Sequence, residues 1–151
     1  MLTRGRIRLK TWPLSPRARQ LLHVGLVAGW MGLIFYLSQQ STPLGQHSGG
    51  MRSYLGHLVV YGALAMLLYR ALRSGGSALD REGLALVLAV AFALTVLYGV
   101  TDELHQAFVR NRTASETDLA VDAIGALVGL AAGLTLDTGL ERYRAQASRH
   151  P

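Results

Sequence analysis

The sequence contains no cysteine, which excludes a disulfide framework, a thiolate zinc site, an iron–sulfur cluster and a cysteine nucleophile. Charge is scarce too: of 151 residues only 16% are charged, while 50% are hydrophobic. With a mean hydropathy of +0.27, the chain is too apolar for a soluble domain with a solvated surface, and far too apolar for disorder. Acids are the rarer charge, nine against fifteen Lys and Arg. The resulting net charge of +6 and pI near 10.3 would raise nucleic acid as a partner, but the placement of the charges argues against it. No HExxH helix, nucleophile triad or phosphate-binding glycine loop is present.

What is there is oil in four blocks. Leu21–Ser38, Tyr54–Tyr69, Leu84–Thr101 and Leu119–Leu136 are uncharged or nearly so. Three of them are 18 residues long, which as helix spans roughly 27 Å, close to the ~30 Å of a hydrocarbon core. The second reaches that length if helix continues through Ala71 and Leu72. All are rich in Leu, Ala and Val without period-2 alternation, so helix is favoured over strand. A soluble helical core is the rival reading, but four such runs leave little chain to cover them. The first run follows Arg4, Arg6, Arg8 and Lys10, as in a signal peptide, yet its apolar part is too long and SQQSTPLG is no cleavage site. It reads as a retained span. Pro13 and Pro16 stop any helix before it.

Positive charge sets the orientation. Residues 1–19, the loop after the second run and the tail together hold twelve basic residues, and the other two loops hold three. The expectation is an all-α, polytopic membrane protein: a four-transmembrane-helix bundle with both termini cytoplasmic. It divides into a basic segment 1–19, a transmembrane domain 20–136 and a tail 137–151 that continues the fourth helix for a few turns. Loops 39–53 and 102–117 face outward, with turns at Ser48-Gly49-Gly50 outside and Ser74-Gly75-Gly76-Ser77 inside. Anchoring at an anionic inner leaflet then accounts for the pI, so no nucleic acid is expected.

In that threading the chemically capable residues fall at the outward helix ends. They are Ser38 and Gln39 after the first span, His57 and Tyr61 in the second, Asp102, Glu103, His105 and Gln106 ending the third, and Asp118 and Asp122 opening the fourth. The cytoplasmic ends carry arginines that orientation alone explains. Asp102, His105 and Gln106 share a face with Tyr98, and His57 shares one with Tyr61. Asp118 and Asp122 begin a stripe that continues as Gly125, Gly129 and Gly133, a surface for close helix approach within the bundle or between protomers of a homo-oligomer. Asp118 also suits a helix start, because Ser115-x-x-Asp118 resembles a capping box. The adjacent carboxylates Asp102 and Glu103 stand where the helix dipole disfavours them, and Arg110, Arg112 and His105 are the nearest partners in sequence. Asp122, roughly 6 Å below its helix start, needs a partner, and His57 at matching depth is the first choice. His23 and His150 carry no expected role, and His47 lies in a solvated loop.

DELHQAFVRNR followed by SETDLAVDAIGALVG resembles the signature of the VanZ-like family of bacterial membrane proteins, and FYLSQQS and GHLVVYGALAMLLY are similar to its other two blocks. The resemblance runs over roughly residues 30–135. It implies a small integral protein of the bacterial plasma membrane, in a family named for a member linked to teicoplanin resistance, and no reaction follows from it. The motif positions it implies here are Ser38, Gln39, His57, Tyr61, Asp102, Glu103, His105, Gln106, Arg112, Asp118 and Gly125. This chain departs from the motif in three places. Tyr54 replaces a lysine, with Arg52 nearby; Arg110-Asn111 replaces Pro-Gly; and Asp122 replaces an asparagine. The changes bear on lysine-dependent chemistry and add a carboxylate.

Two functions are open at this point. One is binding: an envelope lipid, a lipid-linked or glycolipid precursor, or a glycopeptide-type antibiotic is held at the outer face, with Arg112 on an anionic group and His57, Tyr61 and Gln106 as neutral contacts. The other is a hydrolase or transferase acting on a lipid headgroup, with Glu103 or His105 as acid/base, Asp102 orienting His105 and Arg112 stabilising charge. A divalent metal on Asp102, His105, His57 and Asp118 or Asp122 is a weak variant of it. An ion pathway is disfavoured, because the polar residues do not continue to the cytoplasmic side.

Overall fold

In the computed structural model, residues 15–40, 50–74, 79–110 and 112–147 are described. They form four helices: α1 (Pro16–Ser38), α2 (Met51–Arg73), α3 (Arg81–Gln106) and α4 (Glu116–Ala147). The described residues contain no strand. The basic residues at 4–10, the outer turn at 48–49, the inner turn at 75–77, Asn111 and the last four residues lie outside them.

Three of the four helices start where a side chain supplies a partner for free backbone N–H groups, while α2 opens at Gly50 without a side-chain cap. Ser15 Oγ accepts from Ala18 N at 3.2 Å, and Pro16 occupies the first helical position, where a missing N–H costs nothing. Asp80 caps α3 through Gly83 N at 2.8 Å. Ser115 Oγ accepts from Asp118 N at 3.2 Å to open α4. All four helices are long and apolar enough to cross a membrane. The second run does extend, through Ala71 and Leu72 to Arg73. α4 passes position 136 without a break and covers 32 residues, about 48 Å, so it outreaches a ~30 Å hydrocarbon core.

The packing is inside out relative to a soluble bundle. Leu86 is 65% exposed and Asp122 is 0% exposed. Leu26, Val59, Leu97, Leu127 and Val128 also face outward, an exterior that suits lipid rather than water.

At the centre, α2 and α4 form the most extensive helix pair. A Cβ on Gly125 would stand 2.5 Å from the Leu58 carbonyl oxygen, one on Gly129 would overlap the Gly62 carbonyl, and Gly133 lies against Tyr69 and Met66. Contact positions rise together along both helices, so α2 and α4 run parallel. The glycine stripe is therefore filled by the protein's own α2. Of the two contacts open to this stripe, the one within the bundle is made: the α2 backbone occupies the surface at Gly125 and Gly129, and α2 side chains occupy it at Gly133.

α1 docks onto this pair through a hydrogen bond from Trp30 Nε1 to the Val60 carbonyl at 2.9 Å. α3 ties to α1 through Tyr98 Oη, which donates to the Met31 carbonyl at 2.7 Å. Val27, Ile34, Tyr61 and Leu64 form one apolar cluster; Ala65, Tyr69, Ala91, Ala126 and Leu130 form another.

Candidate functional site

The close α2–α4 approach has a direct chemical consequence. With Gly62, Gly125 and Gly129 removing side chains from the interface, the second turns of α2 and α4 bring His57 Nδ1 within 2.9 Å of Asp122 Oδ1, the pairing suggested by their matching depth. One turn along α2, the Tyr61 ring stacks near His57, centroids 6.0 Å apart and planes within 7°. Tyr61 Oη donates to Asp102 Oδ2 at 3.0 Å, and Gln106 Nε2 donates to the same oxygen at 2.9 Å. Gly99 makes room for this layer, since a Cβ there would stand 3.2 Å from Asp122 Oδ2 and 3.4 Å from the Tyr61 ring. Gly99 was not foreseen, and a lone glycine in an apolar run gives little signal.

Above that layer, Glu103 Oε2 accepts from the backbone N–H of Ser115 at 2.8 Å. In a self-contained capping box the acid three residues after the serine would take that N–H. Here Glu103 from α3 takes it instead, and the Asp118 carboxylate is left to the interior. His57, Glu103 and Asp118 each present one donor atom, all within 4.8 Å of one another. Glu103 Oε1, Asp118 Oδ1, Asp122 Oδ2 and His105 Nε2 are buried and have no hydrogen-bond partner among the described residues.

Asp102, Glu103, Asp118 and Asp122 are all buried. Among the described residues no Lys or Arg forms an ion pair with any of them; His57 is their one ionic contact. Burying unpaired carboxylates is costly, so the cluster calls for protons or a cation.

Several expected pairings differ. Asp102 does not orient His105: its contacts are Tyr61 and Gln106, and the His105 ring packs on Phe35 with centroids 4.7 Å apart. The imidazole grouped with Glu103 is His57, and the set able to hold a metal is His57, Glu103 and Asp118; of the expected Asp102, His105, His57 and Asp118 or Asp122, it keeps His57 and Asp118 and replaces the two α3 residues by Glu103. The reason lies in helical phase. Residues 102 and 106 point toward α2, residue 103 points toward the α4 start, and residue 105 turns toward α1. Arg112 is half-buried and its Nε donates to the Gln40 carbonyl at 3.2 Å, tying the α3–α4 turn to the end of α1. Neither it nor Arg110 forms an ion pair with Asp102 or Glu103 among the described residues. Ser38 is buried, and its Oγ bonds back to the Phe35 carbonyl at 2.9 Å. Gln39 is exposed at the helix end, and Tyr54 is half-buried.

The other end of the α2–α4 pair holds an ion-pair network that was expected to be bare arginine. Arg73 Nη1 lies 2.9 Å from Asp137 Oδ2, Arg73 Nη2 lies 3.0 Å from Glu141 Oε1, and Arg70 Nη2 lies 3.5 Å from Asp137 Oδ1. Tyr69 Oη donates to Asp137 Oδ2 at 3.0 Å. The signal was available: Tyr69–Asp137 and Arg73–Glu141 are each 68 residues apart and Arg73–Asp137 are 64, close to the 65 of His57–Asp122, as a parallel pair in one register requires.

The sequence profile of the VanZ/LLP1 family matches residues 23–136. No curated protein and no solved structure matches the chain. That span holds α2 and α3 whole, the greater part of α1 and α4, and every residue of the buried carboxylate–imidazole cluster, and on it the chain belongs to the VanZ/LLP1 family as a multi-pass bacterial membrane protein.

Proposed function

We propose that the protein works at the outer face of the bacterial plasma membrane, with both termini cytoplasmic. There it would hold an envelope amphiphile: a lipid, a lipid-linked precursor or a glycopeptide-type antibiotic. Twelve basic residues on one side against three on the other support the orientation. Segments 1–19 and 137–151 then flank the membrane domain 20–136 on the cytoplasmic side. The observation that carries the binding role is Arg112. It uses one donor on a backbone carbonyl and, among the described residues, pairs with no carboxylate, so its guanidinium is left for an anionic headgroup. Exposed Gln39 beside it adds a neutral contact, while Tyr61, Asp102 and Gln106 form a hydrogen-bonded floor.

The test is binding of a polyprenyl phosphate, set against a zwitterionic lipid, to the protein in nanodiscs. Losing a charge-assisted contact of about 1.5–3 kcal/mol predicts roughly a tenfold to hundredfold weaker affinity in Arg112→Ala for the anionic lipid only. Equal affinities would sink the reading.

A second reading, a headgroup hydrolase or transferase, is favoured by the Asp122–His57 pair standing beside Glu103. Glu103 would then serve as acid/base with His57 in the place first given to His105, and Arg112 would stabilise the developing charge. Lipid product that forms with the wild type and not with Glu103→Gln would select this reading over pure binding.

A further inference from the structure

We infer that His57, Glu103 and Asp118 form a binding site for a divalent cation of the manganese–zinc class. The inference holds whichever of the two functions applies.

Three independent features converge on the same point. The first is the donor set. One imidazole and two carboxylates present ligand atoms within 4.8 Å of one another. At metal–ligand distances of ~2.0–2.2 Å in a tetrahedral field, two ligand atoms lie about 3.3–3.6 Å apart, so the widest separation in the site has to close by about 1–1.5 Å, within reach of side-chain rotation. The second is lack of satisfaction: Glu103 Oε1 and Asp118 Oδ1 have no hydrogen-bond partner among the described residues, and both residues are only 6% exposed. Such oxygens in a low-dielectric interior call for a proton or a cation, and the donor set grouped around them suits the cation.

The third feature is orientation. His57 Nδ1 is engaged by Asp122 Oδ1 at 2.9 Å. With Asp122 as the carboxylate acceptor, the proton is held on Nδ1 and the lone pair is left on Nε2. A carboxylate behind the far nitrogen is how metal-ligating histidines are held in the correct tautomer. Asp122 is thus a positioning residue and not a ligand. Its second oxygen lies toward Gly99. Glu103 is held similarly, one oxygen fixed by the Ser115 N–H and the other free.

The donor set also states a preference. Ca²⁺ takes six to eight oxygens, more than this triad offers, and imidazole favours borderline transition metals over Mg²⁺ or Ca²⁺. No cysteine competes for the ion. The site lies at the meeting of three helix ends, so the cation would also fasten the α3 C-terminus to the α2 and α4 N-termini.

The experiment is metal titration of chelator-treated full-length protein in nanodiscs, with Mn²⁺, Zn²⁺ and Ca²⁺ as separate probes. About one Mn²⁺ or Zn²⁺ per chain is expected, with Ca²⁺ at least about tenfold weaker. Spin-echo spectra of bound Mn²⁺ should carry ¹⁴N coupling, lost in His57→Gln. Glu103→Gln and Asp118→Asn should each weaken binding by about tenfold or more. Asp122→Asn should weaken it about 10–100-fold while keeping the nitrogen coupling, which a general collapse of the site would not do. Glu141→Gln, at the opposite end of the bundle, should change nothing. Should a variant fail to fold, the wild-type spectrum decides: bound Mn²⁺ without nitrogen coupling overturns the assignment. So does an absence of saturable binding, or affinity indifferent to both carboxylate substitutions.

Discussion

Asp102 shows what a carboxylate in this interior demands. It accepts from Tyr61 Oη and Gln106 Nε2 on one oxygen, and it lies on α3 within a buried layer. Tyr61→Phe removes one of those donors without changing the packed ring. A hydrogen bond to a charged acceptor contributes about 1.5–3 kcal/mol, against about 0.5–1.5 for a neutral one. Tyr98 offers the control, because its hydroxyl donates to the neutral carbonyl of Met31. Tyr61→Phe should therefore destabilise the folded protein more than Tyr98→Phe, as read from reversible unfolding in mixed micelles. Equal losses would mean that Asp102 carries no charge for the hydroxyl to stabilise. At this scale the sequence was informative wherever burial itself posed the question. Asp122 needed a partner, and His57 was the imidazole at its depth. It was uninformative wherever the partner is backbone. The Ser115 N–H that holds Glu103 has no side-chain signature, so Arg110, Arg112 and His105 were expected in its place.

Among the elements, the α2–α4 pair sets the geometry of everything else. Its spacing depends on absent side chains: Gly129 faces the Gly62 carbonyl, and Gly125 faces Leu58. Gly129→Ala would push one helix backbone off the other, which overpacking measurements place at about 1–3 kcal/mol or more, and it would draw His57 away from Asp122. Gly25→Ala on α1 meets nothing within 4 Å and should be neutral or slightly stabilising. The same unfolding assay separates the two, and a Gly129→Ala protein as stable as Gly25→Ala would contradict the packing. Four helices were readable from hydropathy, and the glycine period marked one face of α4 for close contact. The period does not say which helix makes that contact, so contact within the bundle and between protomers stayed open until α2 was seen to fill it. The Arg70–Arg73–Asp137–Glu141 network was overlooked for a related reason. Arginines at a helix end expected to face the cytoplasm already had an explanation in orientation, and nothing called for a second.

For the whole molecule, the two ends of the bundle are chemically unlike. One gathers carboxylates around a single imidazole; the other pairs Arg70 and Arg73 with Asp137 and Glu141. Helix packing is the same whichever end meets the cytoplasm, so orientation rests on the excess of basic residues flanking the second end. The absence of cysteine makes this directly measurable, because a single introduced thiol is the only one present. Thr113 is exposed beside the α4 start, and Gln146 is exposed near its end. In intact cells a membrane-impermeant maleimide should label Thr113→Cys, and should label Gln146→Cys only after the membrane is opened. The reverse pattern would put the carboxylate–imidazole cluster at the cytoplasmic surface. That would remove envelope precursors and extracellular antibiotics as ligands, while the cation site, built from distances within the bundle, would stand unchanged. Labelling of both positions from one side would be more damaging, because α4 alone separates them, and its 32 residues would then have to lie along the membrane and not through it.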